Sequence, residues 1–348
     1  MVTVAVDAGG ADLGPGEVGA GAALAAARGI GVVLFGPAEE IGEVPAGVEV
    51  IDAPVSIAKA LDPAFAVRST PEASIVQAAR AVADGRAQAL VSAGSTGSAL
   101  AAGLFNLRRD RGIHRPALAL PLPVPDADPV LLLDVGANVN CRPEHLVQFA
   151  HMGSAFSAAV MGVNRPRVAF LSNGEEAARG TADVLAAHEQ LSGLGGKGLN
   201  FIGNIEGTKV TAGVADVVVM DGFTGNITLK LIEGVSSRTM RAIRDVAMRS
   251  PRGRLGGWLL RPAIGELRAQ IDPETPGGAY MLGLRRVGVV AHGRFTRRGF
   301  ARAIEVAARA VEEDVIAKTR VALEAAGALR QPASGAGRPG PSEHAATV

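Results

Sequence analysis

The stretch Ala215-Asp216-Val217-Val218-Val219-Met220-Asp221-Gly222-Phe223-Thr224-Gly225-Asn226-Ile227-Thr228-Leu229-Lys230 decides how this chain is read. An unbroken apolar run of strand length passes straight into small, polar, turn-forming residues. A helix-period pattern then begins. That layout sets hydroxyl, amide and backbone N–H donors at a helix N-terminus, where the macrodipole also favours an anion. Lys230 stands one helical turn beyond Asn226 and adds a positive charge. A phosphate fits such a seat.

Outward from this stretch the same unit recurs. Apolar runs at residues 2–6, 30–35, 88–93, 130–134, 167–171, 199–202, 216–220 and 286–291 read as strands. Segments with positions spaced by three and four lie between them, such as Ile75, Ala79 and Val82, or Leu146, Phe149, Gly153, Phe156 and Val160. Strand–helix alternation with near-continuous apolar strands predicts an α/β, Rossmann-like fold: a mainly parallel sheet with helices on both faces. Residues 1–330 read as a single α/β catalytic unit with an amphipathic helical arm near 249–268. From residue 331 the chain turns to Pro, Gly, Ser and Ala, a composition that predicts a disordered tail over 331–348.

Five strand ends carry the polar residues. They exit into Ser92-Ala-Gly-Ser-Thr-Gly-Ser98, Asp134-Val-Gly-Ala-Asn-Val-Asn140, Ser172-Asn-Gly-Glu-Glu176, Gly203-Asn-Ile-Glu-Gly207 and Asp221-Gly-Phe-Thr-Gly-Asn226. Each alone is an ordinary turn. In open α/β sheets ligands bind outside the carboxyl ends of the strands, so the expectation is one crowded edge of one sheet. That seat fails if the 92–98 and 221–226 turns fall on opposite sides.

Composition removes several classes. The 35 Lys+Arg nearly balance 34 Asp+Glu, and aromatic residues make up 3%, so neither bulk charge nor base-stacking platforms point to nucleic acid. A single cysteine, Cys141, allows no internal disulfide and no multi-cysteine zinc site. The opening residues lack the basic region of a signal peptide, and no apolar run spans a bilayer, so a cytoplasmic protein is expected. The 92–98 turn lacks the Gly-Lys-Ser/Thr of a Walker A loop. Gly14-Pro-Gly-Glu-Val-Gly19 matches G-x-G-x-x-G but begins too far beyond its strand for a dinucleotide turn. Cys141, one turn from His145, is open to a covalent reading, yet phosphate needs no cysteine to attack a thioester. The His145/His151 spacing does not set both rings on one helix face, and neither a metal nor a cofactor is expected. Leu255, Trp258 and Leu259, among Arg252, Arg254, Arg261 and Arg268, form a basic amphipathic segment suited to membrane or partner contact.

These residues, taken in order, resemble the phosphate acyltransferase family of bacterial phospholipid synthesis. The likeness rests on Ser92-Ala-Gly-Ser-Thr-Gly97, His114-Arg-Pro-Ala-Leu118, Leu133-Asp-Val-Gly-Ala-Asn-Val139, Arg142-Pro-Glu-His-Leu146, Phe201-Ile-Gly-Asn204, the 215–226 stretch, Gly278-Ala279 and Ala291-His-Gly293. It covers about residues 4–311. The chain departs from the family pattern over residues 67–75, which keep one cation, and at Ser95, Asn140, Arg179 and Arg294-Phe295.

The resemblance implies a fold related to phosphotransacetylases and β-decarboxylating dehydrogenases, a homodimer, and peripheral membrane association through residues 249–268. It implies transfer of a long-chain acyl group from acyl carrier protein thioester to inorganic phosphate. On this reading Ser95, Thr96, Gly97, Thr224, Gly225 and Asn226 cradle the phosphate. Arg179 or Lys230 neutralises it, Asn138 and Asn204 donate to the carbonyl oxygen, and Asp134 and Asp221 orient loops. Leu255, Trp258 and Leu259 meet the membrane. Three alternatives stand beside it: a short-chain acetyl- or butyryltransferase using coenzyme A, a non-catalytic membrane-associated binding protein, and, weakest, a metal- and NAD-dependent dehydrogenase.

Overall fold

The structure is a computed structural model that describes residues 1–193 and 198–330. The predicted tail lies outside the described residues. Eleven strands form one sheet: β1 (Thr3–Asp7), β2 (Gly31–Gly36), β3 (Val48–Asp52), β4 (Ala89–Ser92), β5 (Ala117–Leu122), β6 (Val130–Leu133), β7 (Arg167–Leu171), β8 (Asn200–Ile205), β9 (Val217–Val219), β10 (Ala279–Leu282) and β11 (Val287–Val290). Their spatial order is β3-β2-β1-β4-β11-β10-β5-β6-β9-β7-β8.

Successive strand residues face opposite sides, and two apolar cores result. Val4, Val6, Leu131, Leu133, Val217 and Val219 face one, with the helices Pro15–Ala26, Pro143–Phe156 and Arg297–Glu312 packed over them. Ala5, Leu132 and Val218 face the other, covered by Ser74–Ala83 and Thr96–Ala102. The α/β expectation, with helices on both faces, agrees with this architecture.

Among the named strands the pairing contains three antiparallel junctions, β11/β10, β10/β5 and β5/β6; their other pairs are parallel. β1 to β4 and β11 therefore run one way, and β6 to β9 run the other. The reversal comes from the hairpin between β5 and β6, whose loop Pro123-Val-Pro-Asp-Ala-Asp-Pro129 is too short for a crossover.

This corrects the single crowded edge. The turns at 134–140, 172–176, 203–207 and 221–226 follow strands of the second block and share one edge. The 92–98 turn follows β4 and lies on the opposite edge. β4 and β9 stand five spacings of about 4.8 Å apart, roughly 24 Å across the sheet. Each half of the expected cradle has its own surroundings.

Beyond the sheet stand two helices, Gly222–Met248 and Pro251–Gln270. In the first only Gly222 and Gly225 are buried, and in the second no residue is. The exposed helical stretch begins at Gly222, ahead of residue 249, in the helix that follows the 221–226 turn.

Candidate active site

At the end of β6 the chain sets Asp134, fully buried, as an acceptor hub. Its Oδ1 accepts from the N–H groups of Leu118 (3.0 Å), Gly136 (3.1 Å) and Ala137 (2.9 Å). Its Oδ2 accepts from the backbone N–H (2.7 Å) and the side-chain Nδ2 (2.8 Å) of Asn138. Burial pushes this carboxyl above the ordinary range, and the donors oppose that shift. Asn138 spends its remaining Nδ2 hydrogen on the carbonyl of Pro116 at 2.8 Å. The loop is thereby pinned to the start of β5.

The neighbouring turn is tied to this one. Gly222 N–H donates to the Asn138 carbonyl at 2.7 Å. Asp221 caps the helix, accepting from the Thr224 N–H and hydroxyl, both at 2.8 Å. Gly225 is demanded by packing, since a Cβ there would run into the Asp134 carbonyl oxygen. Asn226 is exposed and lies over the loop, its Cβ 3.7 Å from where a Cβ on Gly136 would stand. Lys230 is exposed one turn further on.

Two expected roles do not match these side chains. Both Nδ2 hydrogens of Asn138 are engaged. Buried Asn204 donates its own to the carbonyls of Glu176 (3.0 Å) and Arg179 (3.2 Å), while its Oδ1 has no partner among the described residues. Neither amide presents a free N–H to an oxyanion; both hold loops. Thr224 likewise has both donors turned onto Asp221, so a carboxylate of the chain itself occupies the helix terminus read as an anion seat. Arg179 is exposed, its Nε 3.5 Å from Glu176.

On the opposite edge the groups organise one another. Ser95 Oγ caps the Ser98 N–H at 3.3 Å, Ser98 Oγ donates to the Ile57 carbonyl at 2.9 Å, and a Cβ on Gly97 would stand 3.0 Å from Pro63. Nearby, buried Asp7 accepts from Ser74 (2.6 Å), Ser92 (2.8 Å) and the Gly9 N–H (3.0 Å). Ser95, Thr96 and Gly97 therefore belong to a different neighbourhood from Thr224, Gly225 and Asn226.

The two neighbourhoods are joined by the helix Thr96–Ala102 and its extension to Leu107. Leu100 and Leu104 on it, with Arg109, Arg115, Pro116, Ala137 and Asn138, line a cavity of about 150 Å³. Arg109 and Arg115 were not singled out from sequence. For Arg115 the signal is its place in the motif His114-Arg-Pro-Ala-Leu118; no motif marks Arg109. Arg115 makes no ion pair or hydrogen bond among the described residues.

Burial and the nearby carboxylates of Asp134 and Asp221 push the Cys141 thiol up to about 12. A thiolate nucleophile is disfavoured there. His114, Glu144 and His145 bring ligand atoms within 4.8 Å of one another, a grouping the sequence reading missed. The Arg142 N–H donates to His145 Nδ1 at 3.2 Å, however, which leaves the neutral ring's proton on Nε2 and no lone pair there for a metal.

A family model described as fatty acid synthesis protein matches residues 2–318. The chain belongs to that family. Curated relatives of this chain carry the name phosphate acyltransferase. One from Moorella thermoacetica is 42% identical over 90% of this chain and 93% of its own length. One from Pelotomaculum thermopropionicum is 40% identical over 92% and 95%. Among solved structures, a phosphotransacetylase from Streptococcus pyogenes aligns with a TM-score of 0.56 at 18% identity, covering 89% of this chain and 94% of that one. A branched-chain phosphotransacylase from Enterococcus faecalis gives 0.56 at 16%, covering 89% and 99%. At such identities the structural likeness speaks for the fold alone.

Proposed function

We propose that this protein transfers an acyl group from a thioester to inorganic phosphate, with long-chain acyl carrier protein as donor. The reading is carried by relatives named phosphate acyltransferase at about 40% identity over nine-tenths of the chain. The geometry supports it with a cavity that has apolar walls at Leu100 and Leu104 and cations at Arg109 and Arg115. That is the pairing an acyl chain and a phosphate need.

A phosphate oxygen attacks the thioester carbonyl carbon, the C–S bond breaks, and the thiol leaves with a proton. Phosphate near neutral pH is already partly dianionic, so the protein's task is alignment and stabilisation of the developing oxyanion. Asn226, which lies over Gly136, and Arg115, which lines the cavity with Ala137, hold the phosphate, and Lys230 and Arg179 add positive charge. The acyl chain follows Leu100 and Leu104 along the helix toward Ser95. Asp134 and Asp221 act through the loops they fix.

The exposed helices at 222–270 bear on location and assembly. Phe223, Ile227, Leu231 and Val235 recur every fourth residue and are 50% exposed or more, as are Leu255, Trp258 and Leu259. No helix among the described residues is long and apolar enough to cross a membrane. Such a stripe is covered by a second copy or by a lipid surface. On this reading Phe223–Val235 serves a homodimer and Leu255–Leu259 the membrane, and the protein works as a peripheral cytoplasmic one.

Purified protein with long-chain acyl carrier protein and phosphate, with and without added metal, tests the reading. Acyl phosphate forms in both cases; none in either would overturn it. Turnover of short acyl-coenzyme A in its place would favour the short-chain alternative.

A further inference from the structure

The near-neutral charge balance of the whole chain hides a strongly uneven surface. Arg108, Arg109, Arg115, Arg142, Arg285 and Arg330 are all exposed and come from four separate parts of the sequence. Backbone bonds hold them together: Arg285 N–H donates to the Arg108 carbonyl at 3.0 Å, and Arg330 N–H to the Gly112 carbonyl at 2.8 Å. The Arg109 guanidinium donates to the His114 carbonyl. The rings of His114 and His145 lie 5.8 Å apart between them. Arg109 and Arg330 are close enough to act on His114, and Arg115 and Arg142 on His145, each opposing protonation of its ring. Opposing acids are few. Asp110 is buried against Arg320, and Glu144 stands 3.9 Å from Arg142.

Two members of this cluster, Arg109 and Arg115, line the cavity together with Leu100 and Leu104. A flat lipid surface meets an apolar stripe such as the 255–259 segment, and it cannot enter a recess. A folded acidic protein can dock its charge on the cluster while a tethered chain enters the cavity. We propose that the arginine cluster at 108–115, 142, 285 and 330 is the docking surface for a small acidic carrier protein, whose acyl-thioester arm enters the adjoining cavity. The proposal rests on the acyl-transfer reading for its choice of partner. Charge complementarity of this kind sets encounter rate and orientation, and salt screens it.

The test is direct binding of fluorescently labelled acyl carrier protein to the full chain, wild type against R142E/R330E. The neutral R142Q/R330Q pair guards against misfolding, and thermal midpoints are measured for all three. Expected are a dissociation constant about tenfold weaker for the reversal, an intermediate value for the neutral pair, and a salt dependence that flattens in both. Equal binding by wild type and reversal would overturn the docking surface, as would no binding by wild type at low salt. Loss of anionic-vesicle or RNA binding with carrier binding retained would assign the cluster elsewhere and overturn it too. Turnover of a neutral acyl-N-acetylcysteamine thioester by wild type is measured separately. Its absence would remove the chemistry while leaving the binding result standing.

Discussion

At the scale of single residues, hydrogen-bond accounting separates groups that hold the site from groups free to meet substrate. Asn138, Asn204 and Thr224 were read as donors to substrate, and each has its N–H or O–H groups committed within the chain. Residue type and turn position are legible in sequence, but the direction of an amide is not. Asn226 and Arg115 keep their donors. Asn226→Ala should therefore lower kcat/KM for phosphate by tenfold or more, while the thermal midpoint stays within about 2 °C, as for an exposed substitution. Ser95→Ala, on the far edge, should change it less than twofold; a larger loss from Ser95→Ala than from Asn226→Ala would show the phosphate sits on the other edge. Cys141 supplies a second case. With its thiol pushed to about 12, Cys141→Ser should keep activity within twofold, and native protein should resist iodoacetamide at pH 8. Rapid labelling accompanied by inactivation would contradict this.

At the scale of elements, the helix Pro143–Phe156 carries a titrating load. Burial lowers the pKa of His145 and His151, and of His114 packed beside it. His151 is 3% exposed, and its Nε2 has no partner among the described residues. Unfolded, these rings take up a proton near 6.5; folded, they do so only at lower pH. The unfolded state therefore binds more protons in that interval, and stability present above about 6.5 is lost as pH falls toward the folded values. Thermal melts should show a falling midpoint from pH 7 to pH 5, with a shallower slope in His151→Leu. Parallel slopes would remove His151 from the account. The exposed pair of helices makes a different prediction. Leu255→Ser/Trp258→Ser/Leu259→Ser should lose co-sedimentation with anionic vesicles without shifting the thermal midpoint, because none of the three is buried. Unchanged sedimentation would reassign that face.

Eight strands were legible to within a few residues because their apolar runs are continuous. β3, β5 and β10 were not read. β5 carries Pro121, which argues against an interior strand, and β10 is four residues long behind Pro276-Gly-Gly278. Those omissions had a large effect at the next scale.

At the scale of the whole molecule, β5 and β10 are the strands that reverse the sheet. With both unread, periodicity alone predicted one direction and one edge. Strand direction is a property of connections, and the decisive connection was the proline-rich hairpin at 123–129. Four of the five polar turns still converge, and family membership carries the chemistry that the divided cradle alone would not. The rim was thus legible as a set of motifs, while its division between two edges became visible only once the central strands were placed.

The same topology governs the order in which the protein can be completed. β11 lies between β4 and β10, although roughly 200 residues separate it from β4 in the chain. While the ribosome makes that intervening length, for roughly 10–40 s at ordinary elongation rates, the backbone amides and carbonyls along one side of Ala89–Ser92 have no native neighbour. A nascent chain of this kind offers a sticky hydrogen-bonding template to any other polypeptide nearby. It needs sheltering by chaperones until Val287–Val290 arrives to close the gap.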